Sequence, residues 1–275
     1  MQPDMKIGFI GGGNMATALI GGLAGRLLAA DRIYVIDPNA DALRRLAQQF
    51  GVNTSQQLDA GVAACEVIVL AVKPQQMKTV AEQLRPHIIG TQLLLSIAAG
   101  IRAADLSRWL GGHGAIVRSM PNTPALIGQG ITGMVPMRGV SPEQRAVADA
   151  VMRAVGSTVW LEDESLIDAV TAVSGSGPAY VFYFLEAMQQ AALELGLEPQ
   201  QGTALALATF SGAVQLAAQS SEPLSVLRER VTSKGGTTHA ALVSMEAGDV
   251  KAAIVTAIKA AAARSKELGE EFGRA

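Results

Sequence analysis

The chain has 275 residues, 49% of them apolar and 17% charged, and its formal net charge is −2. That balance, with no basic stripe and no polybasic block, excludes nucleic acid and anionic membrane surfaces as partners. The one cysteine, Cys65, excludes an intramolecular disulfide, and together with an opening that lacks a basic leader it predicts a cytoplasmic protein.

In chain order, short β-branched runs first alternate with amphipathic stretches, the pattern of a parallel α/β sheet. Strands are predicted at 6–10, 32–36, 66–72, 93–97, 115–120, 131–136 and 157–161, with helices at 14–29, 40–49, 75–84, 103–110 and 142–154. The last helix opens on Ser141 as cap and Pro142 at its first helical position. Beyond about residue 161 the strand signals stop, and helices are predicted at 164–195, 199–219, 236–247 and 249–272. Ser174-Gly175-Ser176-Gly177-Pro178 should break or kink the first of these. The stretch 199–221 carries no charge, but its glutamines argue for a helix buried in protein, not one in a membrane. The composition shift places a domain boundary at 162, dividing the chain into 1–162 and 163–275. The late helices are apolar on more than one face, so association through this half is expected.

Lys6-Ile7-Gly8-Phe9-Ile10 leads into Gly11-Gly12-Gly13-Asn14-Met15-Ala16, a G-x-G-x-x-A pattern between a predicted strand and helix. Here Gly11 makes the tight turn, Gly13 lets a pyrophosphate approach the backbone, and Ala16 lets helix and strand pack. The N-terminus of the helix offers free N–H groups and a partial positive charge to phosphates. The first domain is therefore read as a Rossmann-type dinucleotide-binding domain. Asp37, at the end of the second strand, occupies the place where an acid bonds the adenosine ribose, which favours NADH. Against a 2′-phosphate about 4 Å away, repulsion is about 4 kcal/mol per charge pair at an effective dielectric of about 20. That holds unless the side chain turns away or Arg44 and Arg45 offset it. Ala71-Val72-Lys73-Pro74 and Ser96-Ile97-Ala98-Ala99-Gly100 follow apolar strands and should edge the cofactor cleft, with Lys73 facing either cofactor or solvent.

With these stand Met120-Pro121-Asn122-Thr123-Pro124, Asp168-Ala169-Val170-Thr171, Ser174-Gly175-Ser176-Gly177-Pro178-Ala179-Tyr180 and Thr232-Ser233-Lys234-Gly235-Gly236-Thr237-Thr238. Through these motifs the sequence resembles the pyrroline-5-carboxylate reductases along essentially its whole length. The resemblance implies a Rossmann domain followed by an all-α dimerisation domain, and a homodimer or a larger ring of dimers with the substrate site between subunits. It also implies reduction of 1-pyrroline-5-carboxylate to L-proline by NADPH or NADH. By resemblance, Ser233, Gly235, Gly236, Thr237 and Thr238 hold the substrate, and the Thr238 hydroxyl reaches its ring nitrogen as the catalytic contact. Ser174 lies near the site; Glu164 aligns with an acid near the substrate, or is an exposed helix-start acid. The cofactor residues implied are Gly11, Gly12, Gly13, Asn14, Met15, Asp37, Ala71, Val72, Lys73, Pro74, Ala98, Ala99 and Asn122.

Two positions depart from the family pattern. Asp37-Pro38-Asn39 stands where small or basic residues often admit a 2′-phosphate, and Arg230 stands where relatives often carry Asn. A β-hydroxyacid dehydrogenase would need a lysine near Val181, and no lysine occurs between Lys78 and Lys234. A methyltransferase would leave the 232–238 turn without a purpose, and the intact turn also argues against a non-catalytic dinucleotide sensor. His87, His113 and His239 have no partners at ligand spacing, so no metal is expected.

Overall fold

The computed structural model describes residues 4–274. The chain forms two compact units, one running to Ser176 and resuming at Ala261, and a second, Gly177–Ala260. The sheet ends at Trp160, near the expected boundary at 162, but the first unit continues to Ser176 and also takes in the chain from Ala261.

In the first unit eight strands form one sheet in the order β3-β2-β1-β4-β5-β6-β7-β8. They are β1 (Ile7–Ile10), β2 (Ile33–Ile36), β3 (Asn53–Ser55), β4 (Val67–Leu70), β5 (Leu93–Ser96), β6 (Ile116–Met120), β7 (Gly130–Pro136) and β8 (Gly156–Trp160). The helices of this unit are α1 (Asn14–Leu23), α2 (Ala40–Phe50), α3 (Ala60–Ala63), α4 (Met77–Leu84), α5 (Ala103–Trp109), α6 (Pro142–Arg153) and α7 (Leu166–Val170). Alternate residues of the central strands serve opposite faces. Phe9, Val67, Val69 and Leu95 join Leu19, Ile20 and Met152 on one side. Ile10, Ile68, Leu70 and Leu94 join Met77, Leu84 and Leu106 on the other. Each such fully buried side chain contributes about 1.5–3 kcal/mol.

Three sequence-based expectations need correction. The sheet is parallel except at one pair, since β6 and β7 run antiparallel with Arg118 opposite Val135. Their connection, 121–129, holds only the 3-10 turn Thr123–Ile127, and a parallel crossover needs about a dozen residues or more. Strand β3 was not expected, because its three polar residues carry no apolar signal. The first helix ends at Leu23 and not Ala29, the chain turning where the Gly25 N–H donates to the Leu28 carbonyl.

The predicted break in the long helix occurs after α7. Thr171–Gly175 form a π-turn in which the Ser176 N–H donates to the Thr171 carbonyl at 2.8 Å. The second unit holds α8 (Gly177–Glu194), α9 (Pro199–Gln219), α10 (Leu224–Arg230), α11 (Thr237–Ala247) and the first part of α12 (Val250–Arg274). Within it only Gly202 and Ala206 are buried, while Phe182, Tyr183, Val214 and Leu224 are exposed. The last turns of α12 belong to the first unit. There the Ser265 hydroxyl donates to Asp168 at 2.7 Å, and Arg108 donates to the Gly273 carbonyl at 2.8 Å. A Cβ on Gly100 would lie 3.1 Å from the Phe272 ring.

Candidate active site

The glycine loop leaves β1 where the Gly11 N–H donates to Ile36 and the Ala71 N–H to Ile10, at 2.7 and 2.8 Å. Gly11 has φ +103°, and a Cβ there would stand 2.7 Å from the Ala71 carbonyl oxygen, so no other residue fits. Gly13 caps α1 with extended backbone and no side-chain acceptor for the first N–H groups. The space where its Cβ would project is open. An uncapped helix start beside open space is what a pyrophosphate requires, so the residues present fit a dinucleotide.

Asp37 is tied down at both oxygens. Its Oδ2 accepts from the Gly12 N–H at 2.7 Å and its Oδ1 from the Asn39 N–H at 2.8 Å. Asn39 in turn caps α2, its Oδ1 accepting from the Asp41 and Ala42 N–H groups at 3.0 and 3.2 Å. Beside these residues, at the carboxyl ends of β1, β2 and β4, lies a cleft of about 630 Å³ lined by Gly11, Pro38, Leu58, Val72, Val80 and His87 among others. Ala71, Val72 and Pro74 are half-buried along the same loop, with Lys73 exposed. Ala98 is buried and Ala99 half-buried at the end of β5.

Three predicted site residues have their polar atoms turned to protein. The Asn122 amide donates to the Ser174 carbonyl at 3.1 Å and accepts from the Ile131 N–H at 3.0 Å. The Ser174 hydroxyl donates back to the Val170 carbonyl at 2.9 Å. One oxygen of Glu164, Oε1, accepts both from Arg118 and from the Ala103 N–H, each at 2.8 Å. The Arg118 side chain is only 5% exposed. Sequence reading passed over Arg118, although a lone arginine inside the apolar run Ile116-Val117-Arg118-Ser119-Met120 was the available signal.

The 232–238 turn lies in the second unit. Gly235 has φ +74°, and α11 then starts at Thr237 from Gly236 with no side-chain cap. Ser233, Thr237 and Thr238 are exposed, and the hydroxyls of the two threonines have no hydrogen-bond partner among the described residues. The departure at Arg230 is an ion pair with Glu222 at 2.5 Å.

Away from these places, burial first and Glu66 second push the Cys65 thiol up to about 11, behind β1 at Gly8. Burial lowers His113. The Tyr34 hydroxyl, 2.5 Å from Asp59, holds that carboxyl below its usual range. Among the described residues no group of three or more His, Cys, Asp or Glu is placed to hold a metal ion, and no helix is long and apolar enough to cross a membrane.

A Rossmann-type sheet with this glycine loop defines a dinucleotide-binding protein. Residues 6–100 match the family model described as NADP oxidoreductase, coenzyme F420-dependent, and residues 164–268 match pyrroline-5-carboxylate reductase dimerisation. The chain is 45% identical over 269 residues to the pyrroline-5-carboxylate reductase of Pseudomonas aeruginosa, covering 98% of each. The pyrroline-5-carboxylate reductase structure from Coxiella burnetii superposes with a TM-score of 0.91 at 39% identity, covering 96% of this chain and 98% of that one. The Plasmodium falciparum pyrroline carboxylate reductase, solved with NADP bound, gives 0.88 at 29% identity, covering 98% and 100%. The chain therefore belongs to the pyrroline-5-carboxylate reductase family. It reduces 1-pyrroline-5-carboxylate to L-proline with hydride from NADPH or NADH, the last step of proline biosynthesis.

Proposed function

We propose that the dinucleotide lies along Gly11, Gly12, Gly13, Asn14 and Met15, with its ribose at Asp37 and its nicotinamide end near Ala71–Pro74, Ala98 and Ala99. The substrate is held at Ser233, Gly235, Gly236, Thr237 and Thr238. The observation that carries this reading is the start of α11, uncapped and carrying two hydroxyls that have no partner among the described residues. Such a helix end suits the single carboxylate of pyrroline-5-carboxylate.

The bound nicotinamide supplies hydride to the imine carbon. The chain's own residues bind and orient. The N–H groups at the start of α11 and the Thr237 hydroxyl hold the carboxylate. Thr238 accepts a hydrogen bond from the ring N–H of the protonated imine and so fixes which ring face is presented. The imine nitrogen is basic enough to take its proton from water, so no strong enzymic acid is required. Asn122, Ser174 and Glu164 serve by bracing the loops at the ends of β6 and α7 and the start of α5.

We infer that the working unit is a homodimer formed through the second unit, able to assemble further into a ring of dimers, and that it works in the cytoplasm. The near absence of a core between Gly177 and Ala260 supports the association. Incubating the purified protein with 1-pyrroline-5-carboxylate and either cofactor tests the activity. Nicotinamide oxidation with matching L-proline is the expected result. Cofactor binding without turnover, together with turnover of a different cyclic imine, would contradict it.

A further inference from the structure

We propose that Asp37 is the specificity-determining residue that makes this chain select NADH over NADPH. The inference rests on the dinucleotide reading of the cleft at β1, β2 and β4, and adds to it which cofactor the cleft accepts.

A carboxylate at the end of β2 discriminates only if it stays there. Here it cannot leave without giving up both the Gly12 and the Asn39 N–H bonds, at 2.7 and 2.8 Å. Those same bonds consume the backbone donors that a 2′-phosphate would use. The next donors along, the N–H groups of Asp41 and Ala42 at the start of α2, are taken by the Asn39 side chain. Pro38, between them, has no N–H and lines the cleft. A ribose hydroxyl can still donate to a carboxylate oxygen, because each oxygen keeps a free acceptor site.

Charge acts in the same direction. The first turn of α2 adds a second carboxylate, Asp41, which is paired with Arg44, one of the two arginines that could have offset Asp37. The cleft contains no lysine or arginine among its lining residues. Its polar lining includes Gln56, Gln57, Gln75, Gln76 and Gln83, with His87 as its one ionisable member. A 2′-phosphate would meet a fixed carboxylate, spent backbone donors and neutral amides. Arg45, the remaining cation of α2, is exposed.

Calorimetric titration of the full-length protein with ADP-ribose and with 2′-phospho-ADP-ribose reads the discrimination without turnover. ADP-ribose should bind at least about tenfold more tightly, and the kcat/KM ratio for NADH against NADPH should lean the same way. In Asp37→Ser and in Asp37→Asn, which keeps an acceptor for the loop, the preference should shrink or invert while ADP-ribose still binds. Arg45→Ala should leave the wild-type preference unchanged. Equal or tighter binding of 2′-phospho-ADP-ribose by the wild type overturns the inference and leaves the dinucleotide reading standing, as does a preference that survives both Asp37 variants. Binding of neither probe overturns the cleft reading itself, and this inference with it.

Discussion

At Glu164 one carboxylate oxygen joins three places in the chain: Arg118 in the middle of β6, the first N–H of α5, and the turn ahead of α7. Because the Arg118 side chain is 5% exposed, removing its partner strands a nearly buried charge. Glu164→Ala should therefore destabilise the protein by about 3 kcal/mol and lower Tm by roughly 5–10 °C, with Glu164→Gln losing less. Scanning calorimetry checks this, and an unchanged Tm in the alanine variant would remove the bracing role. This residue also shows where sequence reading reaches its limit. An acid before a helix is equally consistent with contact to a ligand, exposure to solvent, or pairing with a buried arginine, because its partner lies 46 positions away. Asn122 and Ser174 present the same difficulty, since motif membership marks them without saying which way their polar atoms turn. Gly11, by contrast, was legible, because both its neighbours and its backbone angle follow from the strand–turn–helix pattern around it.

Among the elements, those with a strong period were placed nearly to the residue. Helix α9 runs Pro199–Gln219, as its proline start and apolar repeat predict, and the break between α7 and α8 falls at the glycine–serine run. The elements that were missed are short or weakly patterned. Strand β3 has three polar residues, α3 has four residues, and α10 spans only Leu224–Arg230. Their existence depends on neighbours: β3 forms because Tyr34, Val35 and Ile36 offer it a free edge. The reversal of β7 was likewise invisible to a residue-by-residue pattern, since direction is set by the length of the connection and not by the strand's own composition. The return of α12 to the first unit depends on Ser265, Gly269 and Phe272, which read locally as ordinary helix residues.

At the scale of the whole molecule, the two units differ in how they are stabilised. The first is held by apolar layers on both faces of its sheet. The second has two small buried residues and a broad set of exposed apolar side chains, among them Tyr183 at 72% and Phe182 at 60% exposure. Helices of that kind need a second surface, and in a chain of this family the dimerisation region covers 164–268. Sedimentation equilibrium should accordingly give a mass of two chains or a multiple of two at micromolar concentration. A stable monomer with full heat-induced cooperativity would contradict the assignment of this surface.

On the proposed function, substrate is held at the start of α11. The most direct test compares kcat/KM for 1-pyrroline-5-carboxylate in the wild type and in Thr238→Ala, with NADH affinity measured alongside. Loss of a hydrogen bond to a charged group, worth about 1.5–3 kcal/mol, predicts a fall of roughly 10- to 150-fold in kcat/KM with NADH binding unchanged. An unaltered kcat/KM, or a fall matched by loss of NADH binding, would contradict it.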